Sequence, residues 1–136
     1  MSDPTKIINF KNIHQGERCF IIGNGPSLRD TPLKELNDEY TFSTNKINKI
    51  FNHTGWRPTY FSYTQGRNWA DNHNSYDNIL QTVQSGTNCF IAPQHKEKIG
   101  KRENIFYYNG LKRKAHRNVE CLNKPEPGGV QIRIEE

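Results

Sequence analysis

Short apolar runs alternate with polar segments along the chain, and this pattern predicts a series of strands and helices. The runs are four to six residues long and rich in β-branched and aromatic residues, which is typical of buried strands in a parallel sheet. Five such strands are predicted, over residues 19–22, 40–44, 59–64, 88–92 and 105–108. On the second strand, Tyr40, Phe42 and Thr44 share one face.

Helical spacing and capping signals fall between these runs. Thr31 followed by Pro32 predicts a short helix over 32–36, and Ile47, Ile50 and Phe51 predict another that ends before Gly55. After a predicted polar loop over 65–74, the longest helix begins at a capping Ser75 and ends at Gly86. Its apolar residues recur at i, i+3, i+4 and i+7: Tyr76, Ile79, Leu80 and Val83.

The alternation of strands and helices predicts an α/β fold, a Rossmann-like parallel sheet flanked by helices. A length of 136 residues suits one domain, so a single domain over 1–136 is predicted, with a lead-in over 1–16 and an irregular tail over 110–136. Only 32% of the residues are hydrophobic and the mean hydropathy is −0.94, which indicates a thin core.

The charge balance adds a preference for anionic partners. Nineteen Lys and Arg against fourteen Asp and Glu give a net charge of +5, which suits a nucleotide, a nucleic acid or a lipid headgroup. The two dense basic runs, 96–102 and 112–117, are equally typical of a solvent-exposed surface that binds no partner. No apolar run approaches the about 18 residues of a membrane span, and the first residues lack a signal-peptide pattern, so a cytoplasmic location is predicted.

Cysteines and histidines show no metal-binding spacing. Cys19, Cys89 and Cys121 form no CxxC pair, and buried reduced thiols are predicted. The five histidines are scattered over polar segments, so a surface position is predicted for each and a zinc site for none: His14, His53, His73, His95 and His116.

A glycine-containing loop, Gly23-Asn24-Gly25-Pro26-Ser27, follows the first predicted strand. Ligands bind at the carboxyl ends of strands in open α/β sheets, and glycine lets a backbone approach a ligand closely. Backbone N–H groups, the Asn24 amide and the Ser27 hydroxyl could hold a phosphate. Leu28 stands where a dinucleotide fingerprint has its third glycine, and a tight βα turn without a ligand is an equal alternative.

Three segments together resemble a known group of proteins. CFIIGNGPSL, YTFSTNKI and PTYFSYT are similar to the bacterial sialyltransferases that act on lipooligosaccharides. They are also similar to the motility-accessory glycosyltransferase-like and 6-hydroxymethylpterin pyrophosphokinase-like proteins. The resemblance covers roughly residues 10 to 65 and is carried by GNGPS together with Asn45 at the end of the next strand.

The resemblance implies a nucleotide and phosphate site made of three strand-end loops and a later glycine turn. Its residues would be Gly23, Asn24, Gly25, Ser27, Asn45, Tyr63, Thr64, Gln65, Gly128 and Gly129. It implies a glycosyltransferase-like domain with a CMP-linked sugar donor and a glycan acceptor, active in surface polysaccharide synthesis near a membrane. No cofactor beyond that donor is expected, and the resemblance assigns no catalytic residue and no oligomeric state.

The sequence departs from these families in two places. Thr64 and Gln65 stand where many pyrophosphokinase-like relatives carry an acidic residue, and Mg²⁺ prefers carboxylate oxygens. The turn 127–130 resembles one that opens a long helix in the sialyltransferases, but only six residues follow Val130. We therefore expect a truncated member with compromised catalysis.

Two alternatives stay open at this point. One is a pterin pyrophosphokinase-like nucleotide-binding protein. The other is a nucleic-acid-binding module that uses the basic segment 96–117 with Phe106, Tyr107 and Tyr108 as stacking surfaces. Trp56 and Trp69 flank the third strand and either stack on a base or sugar or pack in the protein.

Overall fold

The structure, a computed structural model, describes residues 7–65 and 67–108, without the side chains of residues 67 and 68. Five parallel strands form one sheet in the order β1-β2-β3-β4-β5. This confirms the predicted α/β Rossmann-like fold. The strands are β1 (Cys19–Ile22), β2 (Tyr40–Thr44), β3 (Tyr60–Tyr63), β4 (Asn88–Ile91) and β5 (Ile105–Tyr107).

Three α-helices and several 3₁₀ turns connect these strands. The helices are α1 (Arg67–Asn72), α2 (Ser75–Gln84) and α3 (Lys96–Ile99). The short helices predicted near residues 33 and 47 are 3₁₀ turns, Leu33–Leu36 and Ile47–Ile50. Further 3₁₀ turns cover Ile7–Phe10, Pro26–Asp30 and Pro93–His95.

Two local predictions between β3 and β4 are wrong. The predicted polar loop over 65–74 contains α1, whose six residues RNWADN gave no apolar periodicity to detect. Ser75 does not cap α2: Asn74 precedes the helix in a left-handed conformation with φ of 52°, and Ser75 is its buried first residue. Asparagine is one of the few residues that adopt this conformation at low cost.

The connections between strands pack on one face of the sheet. Crossover connections between parallel strands are right-handed. When the strands of a sheet are arranged in their sequence order, right-handed crossovers therefore all lie on the same face of the sheet. The main core joins that face to apolar residues of the connections, which include Leu33, Ile47, Trp56, Ala70, Ile79, Val83 and Ile99.

The other face of the sheet carries an aromatic cluster of Tyr60, Phe90 and Phe106. Phe10 of the lead-in covers this cluster edge-on, with ring centroids 4.6 Å from Phe106 and 5.1 Å from Phe90. Phe42 stacks on the same cluster. At the edge, the Ile21 side chain of β1 is 83% exposed.

The more buried face of β2 is polar. Thr41 and Ser43 are fully buried, whereas Tyr40, Phe42 and Thr44, the face singled out from the sequence, are half-buried on the opposite side. The Ser43 hydroxyl donates to the Tyr60 carbonyl at 3.3 Å. The backbone N–H of Thr41 donates to the Thr59 hydroxyl at 3.0 Å. These bonds satisfy polar groups that would otherwise be costly to bury.

The predicted environments of cysteine and histidine hold only in part. Cys89 is buried as predicted, but Cys19 is exposed because it stands on the edge strand. His95 is fully buried, which contradicts its predicted surface position. Cys121 and His116 lie outside the described residues.

Within residues 7–65 and 67–108, none of the helices combines the length and the apolar character that crossing a membrane would require.

Candidate nucleotide-binding cavity

A cavity of about 680 Å³ opens at the carboxyl edge of the sheet, where the loops after β1, β2 and β3 meet. Parallel pairing places these three strand ends side by side. The described strands do not reverse their order, so this cavity is not located by a topological switch point. It lies instead on the face that carries the connections, above residues such as Ile47 and Ile50.

Five of the predicted site residues line this cavity. They are Asn24, Gly25, Asn45, Tyr63 and Gln65. Gly23, Ser27 and Thr64 belong to the same loops but are not among the residues that line it. Gly128 and Gly129 lie outside the described residues.

The glycine loop is open rather than strained. Gly25 has φ of −68° and ψ of 160°, an extended conformation that any residue adopts. A Cβ atom added to Gly23 would meet no atom within 4 Å, and one added to Gly25 would meet only the Ser27 hydroxyl at 3.8 Å. The glycines therefore keep space clear in front of the backbone, which is what a closely approaching ligand requires.

The backbone N–H groups of this loop are available to a ligand. In the described part of the chain, no acceptor takes a hydrogen bond from the N–H of Gly23, Asn24, Gly25 or Ser27, while the Gly25 carbonyl accepts one from Leu28. Unpaired N–H groups are hydrogen-bond donors for an anionic ligand that approaches the loop.

The Asn24 side chain ties the glycine loop to the end of the next strand. Its amide nitrogen donates to the Thr44 carbonyl at 2.9 Å. One of its two N–H donors is thus used within the protein, which leaves one for a ligand. Asn45, the next residue along from Thr44, has φ of 57° in the left-handed region.

Three cationic side chains line the cavity: Arg29, Lys46 and Lys49. None of its lining residues is acidic, and among the described residues no carboxylate forms an ion pair with these three. The positive potential is therefore not neutralised locally, which favours an anionic ligand. Sequence reasoning missed these residues because it searched the dense basic runs instead of the loops after β1 and β2.

The Tyr63 hydroxyl is a buried polar group at this cavity. Tyr63 is 2% exposed, and its hydroxyl has no hydrogen-bond partner among the described residues. Burial raises the pKa of Tyr63, and the nearby Ser75 hydroxyl offsets part of that rise, although the two groups lack hydrogen-bond geometry. A buried hydroxyl without a partner is uncommon, and a ligand atom in the cavity would supply one.

His95 holds the loop after β3 in place. A carbonyl only accepts, so the Nε2–H of His95 donates to the Gln65 carbonyl at 2.6 Å. In the neutral ring Nδ1 then accepts from the Tyr76 hydroxyl, at 3.0 Å. The buried imidazole thereby links α2 to a loop that lines the cavity.

No group of three or more potential metal ligands occurs in the described ranges. Comparisons with protein-family models, with curated proteins and with solved structures gave no significant match. The family resemblance of the sequence therefore remains a prediction, and the candidate site is argued from its own geometry.

Proposed function

We propose that the chain is a glycosyltransferase-like domain of the sialyltransferase type, which binds a nucleotide-activated, CMP-linked sugar in the cavity at the carboxyl edge of the sheet. One observation carries this proposal. The cavity combines free loop amides, the strand-end Asn45 and three cations, and its lining includes no carboxylate.

The chemistry of such a site suits the departure of a nucleotide. When a sugar leaves its phosphate ester, negative charge accumulates on the phosphate oxygens. Lys46, Lys49 and Arg29 line the cavity beside the glycine loop, and positive charge and N–H donors close to developing negative charge stabilise a transition state. A glycan acceptor near a membrane surface, in polysaccharide synthesis, is the partner that completes this proposal.

Two features make the alternatives less attractive. A pyrophosphokinase-like reaction uses Mg²⁺, which prefers carboxylate oxygens, and this cavity's lining includes none. For the nucleic-acid alternative, Phe106 is only 5% exposed and packs against Phe10, so it is not free to stack on a base.

Calorimetric titration of the full chain with CMP tests the proposal. We expect saturable binding that the double variant Lys46→Ala/Lys49→Ala weakens at least about tenfold, since a contact to a charged group contributes roughly 1.5–3 kcal/mol. Lys101→Ala is the matched control, because Lys101 is an exposed lysine away from the cavity. Absence of CMP binding, or an equal loss in the control, would contradict the proposal.

A test of Asn45, at the end of β2, depends on which residue replaces it. Asn45→Gly removes the side chain and keeps the left-handed backbone accessible, whereas Asn45→Ala adds about 1 kcal/mol or more of backbone strain. Asn45→Gly therefore tests whether the amide binds nucleotide, and we expect weaker CMP binding with little loss of stability.

A further inference from the structure

The two tryptophans of the chain occupy opposite environments. Trp56 is fully buried in the main core, which settles it as a packing residue. Trp69 is 51% exposed on α1 and lines the cavity described above. A large aromatic side chain that is half exposed at a cavity is a ring surface on which a ligand can stack.

Trp69 is held in place before any ligand binds. Its ring stacks on the imidazole of His73, one helical turn further along, with centroids 3.9 Å apart and an interplanar angle of 12°. The Nδ1–H of His73 donates to the Trp69 carbonyl at 2.9 Å. One face of the indole is therefore covered and the ring is already ordered, so a ligand that stacks on it has little ordering to complete.

The position of Trp69 relative to the glycine loop suits a ligand that has both an anionic group and a flat ring. The glycine loop follows β1 and Trp69 follows β3, two strand positions away in the same sheet. Neighbouring strands lie about 4.8 Å apart, so the ends of β1 and β3 are roughly 10 Å apart across the sheet edge. Asn24, Gly25 and Trp69 all line the cavity at this edge. A nucleotide presents an anionic phosphate and a flat ring at a comparable separation.

We propose that Trp69 stacks on the base of the bound nucleotide and that His73 is a positioning residue for it. This inference rests on the proposed function, because it needs a nucleotide whose phosphate lies at the glycine loop. It goes beyond that function in naming the residue that recognises the base. The two-part geometry favours the base over an acceptor sugar ring as the stacked group.

The test measures the affinities of the full chain for CMP and for inorganic phosphate, and follows tryptophan fluorescence during the CMP titration. Trp69→Ala is expected to weaken CMP binding about 5- to 100-fold, the range found for base stacking on an aromatic side chain. It should leave phosphate affinity unchanged and abolish the fluorescence change.

Two further variants and a control refine this test. Trp69→Phe should restore part of the affinity for CMP, and His73→Ala should give a smaller loss of CMP affinity than Trp69→Ala. Ile21→Ala, an exposed apolar residue on the other face, is the control.

The outcomes separate this inference from the proposed function. If wild type and Trp69→Ala bind CMP equally well, base stacking is wrong and the nucleotide site stands. If Trp69→Ala loses affinity for a disaccharide such as lactose but not for CMP, Trp69 stacks on a sugar ring rather than on the base, and the inference is wrong. If the wild-type chain binds neither CMP nor phosphate, the proposed function fails, and this inference fails with it.

Discussion

Asn45 shows at the scale of a single residue how one side chain serves two requirements. Its left-handed backbone conformation, with φ of 57°, is one that asparagine adopts more readily than most residues. Its identity at the end of β2 therefore has a conformational reason as well as the functional one that the resemblance implies. The glycine loop presents the opposite case, because neither of its glycines needs a positive φ and both leave space open.

Tyr63→Phe gives a residue-scale prediction with opposite effects on stability and binding. The free protein buries an unpartnered hydroxyl, so its removal is expected to leave the free energy of unfolding unchanged or raise it, by up to about 1 kcal/mol. The same substitution should weaken CMP binding about tenfold if the ligand supplies the missing partner. Chemical denaturation and calorimetry measure the two effects. A large loss of stability would show that the hydroxyl is satisfied within the protein.

The sequence predicted the glycine loop as a site because that loop follows an apolar run that signals a strand, whereas Asn45 and the end of β3 were implied by the family resemblance. It could not reveal Lys46 and Lys49 as cavity residues, since a lysine in a polar segment carries no mark of what it faces. The burial of His95 was equally hidden. An isolated histidine shows its partners, here Gln65 and Tyr76, only after folding.

At the scale of elements, polar side chains as well as apolar contacts position the loops around the cavity. Asn24 ties the loop after β1 to β2, and His95 ties the loop after β3 to α2. Asn48, on the 3₁₀ turn after β2, donates to Asn78 and Gln81 of α2 at 2.9 Å and 2.8 Å. Such bonds fix direction as well as distance, so they place a loop more narrowly than apolar packing alone.

His95→Phe tests this positioning. We expect the free energy of unfolding to fall by about 2 kcal/mol, because the Gln65 carbonyl loses its donor and the Tyr76 hydroxyl its acceptor. CMP affinity should fall as well, since Gln65 lines the cavity. Tyr76→Phe is the control. It removes only the outer hydrogen bond and should cost about 1 kcal/mol with CMP affinity unchanged. Equal CMP affinities in the two variants would contradict the positioning role.

At the scale of the molecule, residues 7–65 and 67–108 form a five-stranded parallel sheet whose connections pack mainly on one face. The sequence predicted the strands well, since apolar runs of four to six residues set their positions. It did not predict the strand order, which depends on pairings between separate segments of the chain, such as Phe42 with Tyr60. The proposed single domain over 1–136 stays a prediction.

Four buried or half-buried ionisable groups predict how stability depends on pH. Burial raises the pKa of Cys89 from 9.0 to about 12, and burial also raises the pKa values of Tyr60, Tyr107 and Tyr108. Between pH 9 and 12 the native state therefore holds more protons than the unfolded state, so the free energy of unfolding falls as pH rises. Denaturation curves across this range measure the slope.

Cys89→Ala should make this slope shallower, because one of the groups with a raised pKa is removed. Its lower stability at neutral pH, from the small cavity it leaves, does not affect the comparison of slopes. An unchanged slope would show that the Cys89 thiol has its ordinary pKa in the folded protein.

The strand order β1-β2-β3-β4-β5 also bears on how the chain acquires its structure during synthesis. Each strand pairs with the one made just before it, so the sheet can grow by addition at one edge as the chain leaves the ribosome. No early strand has to wait for a distant partner, and loop closure stays short at every step. The glycine loop, the lysines after β2 and Trp69 would then come together in the order in which they are translated.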